Sequence, residues 1–90
     1  MTPTELIRNY KEHNPRGHFF DRATLRFFGE RVKDMRVFEV KLADEHGNLR
    51  PVYKLRTLQL NAPFKPAISY HYFDRATFEE VVKHEGMLEV

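Results

Sequence analysis

The chain contains one short stretch twice. Residues 18–25 (HFFDRATL) return as residues 71–78 (HYFDRATF), and Phe-Asp-Arg-Ala-Thr is identical in both copies. In each copy an aromatic pair ends an extended segment, and the aspartate offers its carboxylate to the free N–H groups of the turn that follows. Each copy therefore predicts the end of a strand, an aspartate cap and the first turn of a helix, with Asp21 and Asp74 as the caps.

The spacing of apolar residues predicts the remaining elements. Thr2-Pro3-Thr4-Glu5 is a capping box in which Thr2 caps a helix over 3–13. The other predicted elements are a helix over 21–32, strands over 37–42, 52–60 and 68–73, and a C-terminal helix over 75–85. A hairpin loop at 44–48 joins the first two strands, and a change of parity near Thr57 predicts a bulge or the end of the strand there. The predicted fold class is α+β, with two N-terminal helices, a three-stranded antiparallel sheet and a C-terminal helix.

Composition indicates the number of domains and the cellular compartment. Ninety residues, of which 41% are hydrophobic, form one domain over 1–90. The absence of cysteine excludes a disulfide framework and a thiolate metal site, which fits a reducing cytoplasm. No apolar run approaches the length of a membrane span, and the N-terminus lacks a signal peptide's hydrophobic segment. We therefore expect a cytoplasmic protein with no membrane partner.

Basic and aromatic side chains on the predicted sheet are the strongest binding candidates. Interleaved on an open sheet, they suit stacking of bases and neutralisation of phosphates, and tyrosine and arginine equally suit a protein interface. Arginines beside the first cap would favour a phosphate, but such charges are more typical of a solvated helix face. The candidate binding residues are Lys41, Lys54, Arg56, Tyr70, His71, Tyr72, Arg22 and Arg26.

The repeated stretch also contains residue types that can bind a metal ion. His18 and His71 stand at equivalent places before Asp21 and Asp74, and two imidazoles with two carboxylates form a reasonable ligand set. Alternatively, each histidine bonds to backbone and each aspartate is engaged in its cap. The second interpretation is favoured because a carboxylate bound to helix N–H groups is a poor ligand or base. We predict no metal, no cofactor and no catalytic residue.

The first copy carries a family resemblance. Residues 17–21 (GHFFD), followed by residues 24–28 (TLRFF) and 31–32 (RV), resemble the N-terminal signature of small proteins from phages and mobile elements. In that signature Gly-His-Phe-Phe leads through an acidic or serine cap into a Thr-apolar-basic-Phe-Phe helix. The resemblance ends before residue 37. It implies an accessory protein of a phage or plasmid and transfers no catalytic residue.

Together these observations predict a non-catalytic protein that acts by binding a macromolecule. The leading hypothesis is an accessory protein that engages a host or phage protein, for example to block a defence or regulatory complex, as a monomer or small homo-oligomer. The alternative is a nucleic-acid-binding module that uses the basic and aromatic sheet face. A small metal-dependent enzyme built on the two His/Asp pairs is the third hypothesis.

Overall fold

The computed structural model describes residues 1–20, 35–61 and 65–90 of the chain. Within them, one helix precedes five strands that form a single antiparallel sheet. The elements are α1 (Pro3–His13), β1 (Arg36–Ala43), β2 (Leu49–Asn61), β3 (Lys65–Asp74), β4 (Glu80–Val81) and β5 (Leu88–Glu89). The sheet order is β4-β3-β2-β1-β5, so the three long strands form its middle. No helix within these ranges is long and apolar enough to cross a membrane.

Helix α1 begins where the capping box predicts. Thr2 has extended backbone angles, and its hydroxyl accepts a hydrogen bond from the Glu5 N–H at 3.2 Å. Such a cap contributes about 1 kcal/mol. The helix ends before Asn14, whose N–H donates to the Tyr10 carbonyl at 2.8 Å. Leu6 and Tyr10 are buried one turn apart, so this side of the helix packs on the sheet.

The loop between β1 and β2 is held by one aspartate. The Asp44 carboxylate accepts hydrogen bonds from the N–H groups of Asn48 and His46, each at 2.9 Å. The bond from the Asn48 N–H is the largest influence on this group, and together these bonds lower the pKa of Asp44. Gly47 has a φ of +78°, a left-handed conformation that glycine adopts without steric cost. The hairpin predicted at 44–48 is confirmed.

The pairing of β2 with β3 is unbroken. Its register runs from Val52 opposite Asp74 to Asn61 opposite Lys65. The bulge or strand end predicted near Thr57 is therefore wrong, and Thr57 is a buried member of the regular ladder. A change of parity is not a reliable sign of either, because one continuous strand can bury apolar residues of both parities: Val52 and Leu55 of β2 are buried in clusters on opposite faces.

The C-terminal helix predicted over 75–85 is also wrong, because this segment forms a turn and then β4. The Asp74 carboxylate does accept hydrogen bonds as a cap would, from the N–H groups of Ala76 and Thr77 at 2.8 and 3.0 Å. The turn stops at Phe78, whose φ of +59° is left-handed and rare in a bulky residue. Asp74 therefore caps a turn that does not continue into a helix.

Pairing with β3 explains why the chain reverses. The Asp74 N–H donates to the Glu79 carbonyl at 2.9 Å, and β4 lies beside β3 with Val81 opposite Tyr72. Phe78 and Val81 are then buried in the two different apolar clusters. A helix presents residues three apart on one side, so it could not deliver both side chains to opposite faces of the sheet.

The predicted fold class is therefore wrong. The described residues contain one helix and five strands, in place of the predicted two helices, three strands and further helix. The two extra strands come from the C-terminal segment. The predicted helix over 21–32, with Asp21 as its cap, lies outside the described residues.

Each face of the sheet buries its own apolar cluster. On the face covered by α1 the buried members are Leu6, Tyr10, Phe20, Met35, Leu55, Phe73 and Phe78. On the second face they are Leu42, Val52, Tyr72 and Val81, with Met87 partly buried against them. The second cluster occupies only the end of that face near the β1–β2 loop, because the side chains of Phe38 and Tyr70 further along it are exposed.

Candidate functional site

The second face of the sheet places basic and aromatic side chains side by side. Residues directly opposite in an antiparallel ladder project to the same side of the sheet. The register forms one row of Phe38, Lys54 and Tyr72 and a neighbouring row of Arg36, Arg56 and Tyr70. Four predicted binding residues are thus brought together, namely Lys54, Arg56, Tyr70 and Tyr72. We call Arg36, Phe38, Lys54, Arg56 and Tyr70 the cation–aromatic patch.

Two predicted binding residues lie on the other side. The register gives Lys41 and His71 the same parity as Leu55, which is the face covered by α1. His71 is half-buried, and its ring centroid lies 4.9 Å from that of Phe19. Burial lowers the pKa of the His71 imidazole, and the Glu80 carboxylate opposes that shift. Lys41 and His71 are therefore not part of the cation–aromatic patch.

Each repeated stretch carries an arginine directly after its aspartate, Arg22 in the first copy and Arg75 in the second. Arg22 and Arg26 lie outside the described residues, so their predicted binding role stays a prediction. Arg75, the counterpart of Arg22, directs its guanidinium at the main chain. Its Nε donates to the Val52 carbonyl at 2.9 Å, and a terminal nitrogen donates to the Val40 carbonyl at 2.7 Å. A guanidinium that donates to two main-chain carbonyls has fewer N–H groups left for a phosphate.

Sequence reasoning did not place three residues on this face. Alternation with Val40 and Leu42 predicts a buried position for Phe38, yet its side chain is 39% exposed. Arg36 lies directly opposite Arg56, which only the strand register reveals. Glu89 reaches Lys54 across 35 residues of sequence, so no local pattern could have indicated the contact.

The Glu89 carboxylate is held by two groups of the sheet. Its oxygens lie 2.8 and 2.9 Å from Lys54 Nζ, and the Tyr72 hydroxyl donates to it at 2.6 Å. Hydrogen bonding to Lys54, and then to Tyr72, lowers the pKa of Glu89. Burial, assisted by the neighbouring carboxylate, raises the pKa of Tyr72 to about 12. The phenol therefore stays protonated and acts as a hydrogen-bond donor at neutral pH.

Basic and aromatic side chains of the patch also contact each other. Lys54 Nζ lies 4.4 Å from the centre of the Tyr70 ring, and the Arg56 guanidinium lies 5.9 Å from the centre of the Phe38 ring. Cation–π contacts of this kind contribute about 0.5–1 kcal/mol at exposed positions. Beside them is an open cleft of about 380 Å³, whose lining includes Phe38, Lys54, Arg56, Tyr70 and Glu89.

The hypothesis of a metal-dependent enzyme concerns two His/Asp pairs, of which only the pair of His71 and Asp74 lies wholly within the described residues. Across residues 1–20, 35–61 and 65–90, no three His, Asp or Glu side chains are grouped to hold a metal ion. The Asp74 carboxylate is already occupied by Arg50 Nε at 3.1 Å and by the N–H groups of its turn. Because Asp21 lies outside the described residues, the prediction that no metal is bound stays a prediction.

Removing the Tyr72 hydroxyl tests the Glu89 contact. Tyr72→Phe should lower the free energy of unfolding by about 1 kcal/mol, because a largely buried phenol loses its bond to a carboxylate. The pKa of Glu89 should rise toward its ordinary value. Urea unfolding and carboxyl-carbon NMR titration measure the two effects. Tyr70→Phe is the matched control, since it removes a hydroxyl that is not bonded to Glu89. Equal losses in both variants would contradict the assignment.

Comparison with protein-family models, curated proteins and solved structures found no match to this chain.

Proposed function

We propose that this chain is a non-catalytic binding protein and that the cation–aromatic patch docks on a protein partner. The observation that carries the proposal is the exposure of aromatic rings beside arginines on a sheet face. Phe38 is 39% exposed and Tyr70 48% exposed, with Arg56 between them on the central strand. Tyrosine and arginine supply a large share of binding energy at protein interfaces.

The contacts within the patch favour a protein over a nucleic acid. Stacking of bases needs free ring faces, yet Lys54 lies over one face of Tyr70 and Arg56 over one face of Phe38. Neutralising phosphates needs free cations, yet Lys54 is paired with Glu89. A protein surface needs neither, since it can pack on ring edges and on the stems of basic side chains.

A nucleic-acid-binding module is the second candidate, and one observation favours it. Arg36 and Arg56 lie directly opposite each other on the same face, and such a pair can contact successive phosphates. The remaining basic candidates add less to this face, because Lys41 projects from the opposite side and Arg75 is bound to carbonyls.

The resemblance of residues 17–32 to small phage and mobile-element proteins supports a more specific version of the proposal. In that version the chain is an accessory protein, and its partner is a host or phage protein whose defence or regulatory role it blocks. An exposed face that acts by occupying a partner's surface needs no catalytic group.

Photocrosslinking tests the proposal directly, because it captures whichever protein contacts the labelled position. The photoreactive residue p-benzoylphenylalanine is placed at Tyr70, and separately at His46 in the exposed β1–β2 loop as the control. Both chains are irradiated in host lysate. We expect a discrete protein adduct from position 70 and none from position 46. Equal adducts from both positions, no adduct from position 70, or an adduct that nuclease removes would contradict the proposal.

Competition then assigns the adduct to the patch. Excess unmodified chain should suppress the adduct, whereas excess Phe38→Ala chain should suppress it poorly. Leu49→Ala is the matched control, because Leu49 is a large apolar residue that is 54% exposed but lies outside the patch. It should compete as well as the unmodified chain.

A further inference from the structure

We infer that the partner presents an acidic segment, whose carboxylate binds between Arg36 and Arg56. This inference rests on the proposed function, because it specifies the chemistry that the same patch recognises. Its basis is the arrangement of charges on the second face of the sheet and the way in which that face already holds one carboxylate.

The arginine pair is the first observation. Arg36 and Arg56 lie directly opposite each other on adjacent strands, and like charges in such positions destabilise a sheet. Within the described residues the ion pairs are Arg50–Asp74 and Lys54–Glu89, so neither arginine of this pair is neutralised there. An anion between the two guanidinium groups would relieve the repulsion and could be held by two-pronged hydrogen bonds.

Glu89 is the second observation, since it shows which anion this face accommodates. Strand β5 pairs with β1 and brings the Glu89 carboxylate to Lys54 Nζ and the Tyr72 hydroxyl. Lys54 lies two residues from Arg56 on β2, so the arginine pair forms the adjacent row of the same face. A partner carboxylate would contact Arg36 and Arg56 in that row, as the Glu89 carboxylate contacts Lys54 in the neighbouring row.

The aromatic residues define the rest of the partner. Phe38 and Tyr70 lie on opposite sides of the basic residues of β2, and both rings are exposed. They provide apolar contact for side chains two residues from the acidic residue, because residues two apart share a side of an extended chain. The patch therefore fits a peptide segment in which pairs of acidic residues alternate with pairs of aliphatic residues, so that each side of the segment carries both kinds of side chain.

Binding of simple probes tests this chemistry. The probes are a short Glu-Val peptide in which pairs of Glu alternate with pairs of Val, its Gln-Val counterpart with Gln in place of Glu, and an oligothymidine. Binding is followed by ¹H–¹⁵N NMR of the folded chain, including the arginine Nε–Hε signals. We expect the Glu-Val peptide to shift the signals of Arg36 and Arg56 and to bind about tenfold more tightly than the Gln-Val peptide, a difference of about 1.4 kcal/mol.

Charge reversal provides the specificity control. The double variant R36E/R56E should lose the Glu-Val peptide and should instead bind a Lys-Val peptide. Arg16→Glu is the control for altered net charge, because Arg16 is exposed and lies in the turn after α1, away from the sheet face. It should retain Glu-Val binding to within about twofold, since charges farther apart than a Debye length of about 10 Å are largely screened.

The outcomes separate this inference from the proposed function. Equal binding of the Glu-Val and Gln-Val peptides, or binding of neither, overturns the acidic-segment inference. Tighter binding of oligothymidine than of the Glu-Val peptide overturns it in favour of a phosphate ligand. If the photocrosslinked adduct from position 70 persists in R36Q/R56Q, the patch still binds a protein but not through an acidic segment. If no adduct forms at all, the proposed function itself fails.

Discussion

Phe73→Ala is expected to lower the free energy of unfolding by about 3–5 kcal/mol, the range for deleting a fully buried aromatic side chain. Phe73 is 0% exposed, and its ring centre lies 5.0 to 5.8 Å from those of Phe19, Phe20 and Tyr10. These rings join α1 and the first repeated stretch to the sheet, so no neighbour can easily fill the cavity. The loss is a large fraction of the total stability of a small domain.

Phe38→Ala is the matched control for this measurement. It also removes a phenylalanine ring from the sheet, but Phe38 is 39% exposed and makes one cation–π contact, with Arg56. We expect a loss below about 1 kcal/mol, as is usual for substitutions at the surface. Urea unfolding followed by circular dichroism compares the two variants. Similar losses would show that the ring cluster around Phe73 is not the centre of the core.

Phe38→Ala also separates stability from binding. If the proposed function is correct, this variant should fold like the unmodified chain and yet compete poorly for the adduct at position 70. A stable variant with unchanged competition would exclude Phe38 from the docking surface.

Arg75→Met is expected to cost about 2–3 kcal/mol, the second-largest effect among these substitutions. The Arg75 guanidinium donates to the carbonyls of Val52 and Val40 at 2.9 and 2.7 Å, so it ties the turn after β3 to both β2 and β1. Hydrogen bonds from a charged donor contribute about 1.5–3 kcal/mol each when buried, and these are partly buried. Methionine keeps an apolar stem and removes the donors, together with the charge and the guanidinium's contact with the Tyr53 ring at 5.7 Å.

Arg50→Met is the control for Arg75→Met. Arg50 also contacts the turn, through an ion pair with Asp74 at 3.1 Å, but its side chain is 48% exposed. Exposed ion pairs of this kind contribute between zero and about 1 kcal/mol. A loss in Arg50→Met as large as that in Arg75→Met would show that the charge, and not the two carbonyl bonds, holds the turn. Thermal unfolding of both variants at the same pH distinguishes these results.

Local signals in the sequence predicted the structural features that depend on interactions within a few residues. The capping box located the start of α1, and the alternation of apolar residues located β1, β2 and β3. Alternation also placed Lys54 and Arg56 on one face, because neighbours two apart on a strand always share a side. Each of these features depends on residues within a few positions of one another.

The structural prediction failed where the fold depends on contacts between segments far apart in the chain. An aspartate cap determines the hydrogen bonds of one turn, and Asp74 makes those bonds whether or not a helix follows. Reversal into β4 depended instead on pairing with β3, which brings Val81 opposite Tyr72. Likewise, residue type alone groups Lys41 with Lys54 as basic strand residues, whereas the register of β1 against β2 sends them to opposite faces.

For this protein, the sequence by itself determined the helix, the long strands and the alternation along each strand, since backbone geometry and caps act over a few residues. Only the tertiary structure decided that a strand, and not a helix, follows the second repeated stretch, that Arg36 faces Arg56, and that Glu89 reaches Lys54. These features depend on strand register and on contacts between segments far apart in the chain. No local pattern encodes them, because their free energy is gained only when the sheet assembles.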